Sequence, residues 1–505
     1  MLSFYNIIKN KLKIKIKNRY PSKENINKIL KDLKNIIKPF FCITIIIIIA
    51  LSAMIRADFN YNDDLRSVAE GYVTWNHFSR FGTTFLSKIV HNSKYLYDIS
   101  PLPQLLAVCI MALTGIIILY VYKDEKKFTF WDVISVIPLA LSPYYLECFS
   151  YKYDAPYTAL SVLASVFPLL FKKNKYAYII VLSLCILLMC ITYQASSGIF
   201  LMCVLLVCLK DWNKGKKTKE TFKFLIISVT YYLCVLLIFK TYIMIPVDTY
   251  VTNQMFSIKE LIPGVINNLY KYFSYILLDF RKEWLVLIAL IFISCIYVFI
   301  KDSKQKKYIA LPVNVVSIIV MVLLSFGVYP VLMKPLFDPR AMYGFGICIA
   351  LAAIAIANSK KAYLSKIFII CIDWAFIVFA LTYGNALKIQ NEYTDFRVNL
   401  VINDLNDLEI FKNDEEKTVE IMGTIGQAPT IENMPQNYQI LNRLIPIQFK
   451  EEWMWGLYYF YNYFDLRNVK QDETIELKDF DLPILKDTMY HTIKGNDKYV
   501  LIELK

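Results

Sequence analysis

The sequence predicts an all-α polytopic membrane protein of about 11 transmembrane helices with a small C-terminal extracytoplasmic α/β domain. Three observations carry this. Hydrophobic residues make up 57% of the chain and aromatics 15%, and mean hydropathy is positive, beyond what a water-soluble domain carries. The apolar runs, such as Phe40–Ile55 and Leu102–Tyr122, approach or reach the roughly 20 residues a helix needs to cross the hydrocarbon core. The linkers between them alternate between lysine-rich and lysine-poor. Strands of a membrane barrel would show about 10 residues of alternating polarity, and no segment does.

Apolar runs place spans near 39–55, 102–122, 131–149, 157–171, 176–193, 196–209, 224–245, 285–300, 309–333, 341–357 and 367–385. Lysine clusters fall in 9–38, 123–127, 172–175, 210–223, 301–307 and 358–366, and hold about 30 of the 56 basic residues. All of them fall on one side when eleven spans are drawn. The positive-inside bias therefore puts the N-terminus in the cytoplasm and the C-terminus outside. It also explains the net charge of +14 without nucleic acid as a partner. Residues 1–38 read as a basic cytoplasmic segment, partly helical, lying against anionic membrane lipid and lacking a cleavage site. The eleven cysteines lie in or beside apolar runs, which predicts neither a disulfide framework nor a CxxC metal site.

Residues 39–385 form the membrane domain in this reading, and 386–505 the outer α/β domain. The tail turns acidic; Asn391–Leu408 reads as helix, Thr418–Met422 and Lys498–Leu504 as strands, and Tyr458–Phe464 as an aromatic run. Two longer loops face outward, Arg56–Pro101 and Pro246–Trp284. Leu65, Val68, Ala69, Tyr72, Trp75 and Asn76 recur at helical spacing in the first, predicting a helix over 64–78, and residues 261–278 predict an interfacial helix in the second. No internal repeat is evident, which disfavours transporter folds built from repeats.

Ions near a bilayer are costly and usually have a partner or a task. Asp58, Asp63 and Asp64 follow the first span; a carboxylate there could deprotonate a sugar hydroxyl, and burial beside another would raise its pKa to suit. The alternative is that Asn62 or Asp63 caps the following helix. Lys152, with Asp154, runs against the charge bias and could meet a phosphate, or simply form a loop ion pair; Asp154 could instead meet an acceptor sugar. Lys334, Asp338 and Arg340 stand in a proline-stiffened loop before a span, a phosphate clamp or an interfacial anchor. Gln194 could hydrogen-bond a sugar. His77 and His91 read as surface residues, and Lys240 and Asp373 as snorkelling or packing residues. No P-loop or GxGxxG occurs, so ATP-driven transport and a Rossmann nucleotide-sugar site lack support.

The stretches RADFNYNDDLRSVAEGYVTWNHFSRFGTTFL, DISPLPQLL, FSYKYDAP, TYQASSG and DPRAMYGFG, in that order across about residues 40–385, resemble the serotype-converting O-antigen glucosyltransferases of bacterial inner membranes, the Gtr group. The resemblance implies a GT-C-type enzyme. Such an enzyme takes a hexose, glucose by family expectation, from a polyprenyl-phosphate sugar and adds it to a lipid-linked O-antigen repeat on the outer face. A donor-making synthase and a small flippase usually accompany it. It maps the acidic residue of the first outer loop onto Asp63 or Asp64 without choosing between them. The mechanism it implies is inverting displacement, with Arg340 and either Lys334 or Lys152 stabilising the leaving phosphate, and no cofactor beyond a divalent cation that Asp63 and Asp64 could hold. An O-antigen polymerase or ligase, or a lipid-oligosaccharide flippase, is the competing reading.

Overall fold

The computed structural model describes residues 23–73, 75–124, 127–245, 254–412, 416–451, 469–470 and 476–505. The basic segment up to residue 22 and the aromatic run Tyr458–Phe464 lie outside these.

Among the described residues, eleven apolar helical segments appear where the hydrophobic runs predict them. Nine are single helices long and apolar enough to span, from Asn35–Ala57 to the span within Ser365–Asp407. A tenth is a bent pair, Phe130–Leu141 and Pro143–Ser150, and Ala155–Phe171 is shorter. The pair bends by 61°. Pro143 supplies the cause: it offers no N–H to the preceding turn, and it drives Ser142 to an extended ψ of 140°. The bend delivers Glu147, Tyr151 and Lys152 to the lysine-poor end of the bundle.

The centre of the bundle is Gly344–Ala357, buried along its whole length. Its sequence, GFGICIALAAIAIA, is rich in the small residues that let membrane helices approach closely. The first span packs against Ser365–Asp407 just as closely: a Cβ on Gly384 would lie 2.3 Å from the Met54 backbone nitrogen. Four lysine-rich linkers gather at one end. Lys210 pairs with Asp124 at 2.7 Å, Lys123 with Asp132 at 2.5 Å and Lys361 with Asp302 at 3.2 Å, while Gln305 Nε2 donates to the Trp212 carbonyl. The alternation in the sequence is therefore a real segregation of charge in space.

At the opposite end the last helix runs on past its apolar stretch. Ser365–Asp407 runs 43 residues without a break, about 64 Å at 1.5 Å per residue. The boundary expected between residues 385 and 386 thus falls inside a continuous helix. Val398, Val401 and Leu405 on its far half pack against a mixed sheet. The strands are β1 (Lys417–Met422), β2 (Val469–Lys470), β3 (Ile484–Asp487), β4 (His491–Gly495) and β5 (Tyr499–Leu504). Their order is β2-β1-β5-β4-β3, with β1 parallel to both β2 and β5 and the other pairs antiparallel. Arg397 fastens helix to sheet by donating to the Tyr490 and Lys505 carbonyls, each at 2.7 Å. Leu65 of the first loop joins this core, so the small domain sits on the loop that carries the acidic pair.

The predicted helix over 64–78 is in fact two pieces, Asp63–Glu70 and a 3-10 turn Trp75–Phe78. Gly71 ends the first in the left-handed region (φ 66°), where a Cβ would meet Tyr95 Cβ at 2.9 Å. The helix predicted at 261–278 is present as Leu261–Asp279. Its buried face holds the loop before the tenth span: Asn268 donates to the Pro330 and Leu332 carbonyls, and Tyr272 to that of Leu336.

Candidate active site

A cavity of about 720 Å³ opens at the lysine-poor end. Asp63, Asp64, Arg80, Asp154, Gln194 and Arg340 are among the residues lining its polar part. Leu201, Leu236, Met244, Val331 and Leu336 are among the residues lining its apolar part. Five candidates drawn from four separate linkers in the sequence thus meet at one place: Asp63, Asp64, Asp154, Gln194 and Arg340.

The acidic pair divides into two unlike residues. Asp64 is 1% exposed, and its Oδ2 accepts from the backbone N–H of Lys152 at 3.0 Å and, more weakly, of Tyr61 at 3.4 Å. It fastens the start of the first loop to the loop after the bent span. Burial pushes its carboxyl well up, against the opposing pull of Lys152. Asp63 is exposed to the cavity, and among the described residues its carboxylate accepts no hydrogen bond. Protein nevertheless encloses it on most sides. Burial raises its pKa, Arg340 and Arg80 oppose the rise, and Asp154 adds to it. Neither Asn62 nor Asp63 caps the helix: Asn62 stands at the cap position with φ 46° and makes no side-chain cap bond. Its Nδ2 donates to the Tyr151 hydroxyl instead, at 3.2 Å.

Arg340 is the second residue of the short helical turn Pro339–Met342, and its backbone N–H donates to Glu147 Oε2 at 2.5 Å. Its guanidinium lies 4.7 Å over the Tyr151 ring and 3.5 Å from Asp338 Oδ2. Its carbonyl accepts from the Tyr193 hydroxyl at 3.1 Å. A planar cation is thereby held at the cavity wall with most of its surroundings fixed. Gln194 donates to the Phe78 carbonyl at 3.1 Å, so one of its groups serves to hold the first loop.

Lys152 and Lys334 are placed differently from a phosphate clamp. Lys152 is 2% exposed and spends its ammonium on Asp58 at 2.9 Å and Asp98 at 2.7 Å. Burial pushes Asp98 up, yet hydrogen bonds from Lys152 and Ser100 outweigh it and hold the carboxyl below its usual range. Asp58, expected near the sugar, is the other half of this clasp and does not line the cavity. Lys334 is exposed and also stands outside the lining. Asp154 pairs with Arg80, which sequence reasoning passed over. Arg80 Nε donates to the Thr192 carbonyl at 2.7 Å, and its guanidinium lies 4.9 Å from the Tyr193 ring centroid. The signal for it was available: it is a cation on the lysine-poor side, the criterion that singles out Lys152. Of the residues expected to be peripheral, His91 stacks on Tyr153 at 5.6 Å away from the lining, whereas Lys240 is part of it. Among the described residues no group of three or more His, Cys, Asp or Glu side chains is arranged to hold a metal ion.

The cavity can hold an amphiphile: an anionic group against Arg340, a hydroxyl beside Asp63 and an apolar chain along the leucines. Comparison with known proteins agrees with a membrane transferase. A family model described as glucosyl transferase GtrII matches residues 52–351, a stretch that contains the whole cavity lining. A relative from Salmonella phage P22, described as an uncharacterized 55.3 kDa protein in the gtrB 5′ region, is 24% identical over 416 residues, covering 78% of this chain and 83% of the relative. No solved structure matches the chain.

Proposed function

The chain belongs to the GtrII glucosyl transferase family, a multi-pass membrane glucosyltransferase, and we propose that it moves glucose from a polyprenyl-phosphate donor to a lipid-linked O-antigen repeat. The observation that carries this reading is the pairing, in one cavity, of an accessible carboxylate of raised pKa with an arginine and an apolar lining. Asp63 is the base in this scheme, and Asp64 the residue that positions it. The acceptor hydroxyl oxygen attacks the anomeric carbon of the donor and its proton passes to Asp63. The bond from that carbon to the phosphate oxygen breaks with inversion. The leaving polyprenyl phosphate gains one negative charge, which Arg340 stabilises without an acid to protonate it. Arg80 and Asp154 shape the wall beside Asp63, with Gln194 tying the loop to it.

The lysine-rich end faces the cytoplasm of a bacterial inner membrane on this account, and the cavity and small domain face the periplasm. A donor synthase and a flippase would then supply the donor to the outer face. Chemical analysis of O-antigen from cells carrying the wild-type protein, Asp63→Asn or neither tests the reading. Added glucose should appear with the wild type alone. Glucosylated O-antigen in the Asp63→Asn strain contradicts the base assignment, and unmodified O-antigen in the wild-type strain contradicts the acceptor.

A further inference from the structure

Among the described residues the cavity lining carries three carboxylates, Asp63, Asp64 and Asp154, against two guanidiniums, Arg80 and Arg340. Arg80 is already committed to Asp154. An anionic donor entering here passes the carboxylates of Asp63 and Asp154, whose repulsion is felt most where water is scarce. Lys240 is the remaining cation of the lining. It is exposed, and among the described residues it forms no ion pair, in contrast to the doubly paired Lys152.

The backbone at Lys240 is unusual. The helix Thr218–Ile238 ends in a π-helical turn, Phe239–Ile243. Such a turn holds an extra residue and rotates the side chains around it, and it recurs at functional sites. Here Phe239 is buried while Lys240 remains exposed in the lining. The chain just beyond is pinned, since the Ile245 N–H donates to Ser79 Oγ at 2.8 Å, next to Arg80. On the same helix Leu233 and Leu237 line the cavity yet are 54% and 62% exposed, so the cavity is open along this flank. The flank is apolar, as a lipid-facing helix surface should be.

We propose that Lys240 is a donor-binding residue. The lipid of the polyprenyl-phosphate sugar enters sideways beside Leu233 and Leu237, and the Lys240 ammonium meets its phosphate and passes it towards Arg340. This rests on the donor class proposed above. It also gives the phosphate the second cation that neither Lys152 nor Lys334 is placed to supply.

The test compares two inhibitors of glucose transfer by the purified full-length protein in lipid nanodiscs: polyprenyl phosphate and the neutral polyprenol of the same chain length. Wild type should prefer the phosphate. Lys240→Met keeps the apolar stem and removes the charge. It should cut that preference by about ten- to a hundredfold, the loss of one charge-assisted hydrogen bond, with polyprenol inhibition unchanged. Lys240→Arg should keep the preference. An undiminished preference in Lys240→Met overturns the assignment of Lys240 and leaves the donor class standing. Equal weakening of both inhibitors in Lys240→Met also overturns it, because lost packing would then be the cause. Absence of any preference in the wild type overturns the donor class itself.

Discussion

Replacing Asp63 and Asp64 one at a time tests the proposed division into base and anchor, because the two adjacent carboxylates stand in different surroundings. Asp64→Ala removes the acceptor of the Lys152 N–H, a 3.0 Å bond inside the protein, and leaves that donor buried without its partner. Such an orphan costs about 1–3 kcal/mol. The longer contact from Tyr61, at 3.4 Å, adds little. Relief of the burial that pushes up the Asp64 carboxyl offsets part of the loss, so the net destabilisation is about 1–2 kcal/mol. Asp63→Asn removes no hydrogen bond of its carboxylate among the described residues. It removes a charge that the folded protein disfavours. The Asp63 pKa is raised, so folding binds its proton more tightly than the unfolded chain does. That stabilisation is complete below the ordinary value near 3.8 and is lost as pH rises through the raised value. Asp63→Asn is therefore expected to equal or exceed the wild type in stability above that window and to match it in acid. Thermal unfolding in detergent reads the stabilities, and transfer of labelled glucose reads the activity. Asp63→Asn should lose about 10²–10⁴ in transfer rate, the usual worth of a general base. Asp64→Asn keeps an acceptor oxygen for Lys152 and should stay measurably active. An active Asp63→Asn beside a stable but inert Asp64→Asn would refute the division.

With Asp63 as the proposed base, the transfer rate should rise with pH through a value above the ordinary carboxylate range, since a base must be deprotonated and burial raises this carboxyl; a rate profile for wild type and Asp63→Glu checks this. Arg340→Lys keeps the charge but loses the planar guanidinium held over the Tyr151 ring, and should lower kcat/KM for donor by about tenfold to a hundredfold in a steady-state assay. Lys152→Met breaks two ion pairs, but side-chain exposures of 56% for Asp58 and 35% for Asp98 let water take over. Its cost should be about 1–2 kcal/mol in an unfolding titration, below that of breaking a fully buried pair, with donor KM unchanged because Lys152 lies outside the cavity.

The spans were legible because an apolar run of sufficient length needs no tertiary information to declare itself. The bend at Pro143 was written in the sequence too, though its consequence, the delivery of Glu147 to the Arg340 backbone, was not. The helix over 64–78 shows the opposite case. Its periodicity is genuine, but Gly71 turns the chain to pack against Tyr95, a contact across more than twenty residues. Lys152 is the most instructive site residue. Its position against the charge bias correctly marks it as needing a partner, and the partners are Asp58 and Asp98, which nothing local connects to it. Arg80 met the same criterion and reaches Asp154 across 74 residues. Charge placed against the topology bias thus finds the right residues, while only the packed structure tells a paired ion from one that faces the cavity.

The central claim is that this membrane glucosyltransferase draws on a lipid-phosphate donor. Its most direct measurement supplies the purified protein in lipid nanodiscs with acceptor and either polyprenyl-phosphate [¹⁴C]glucose or a ¹⁴C-labelled nucleotide glucose, with no other enzyme present. The account predicts label on the acceptor from the polyprenyl donor alone, with free polyprenyl phosphate as the second product. Label arriving from the nucleotide sugar alone would contradict it.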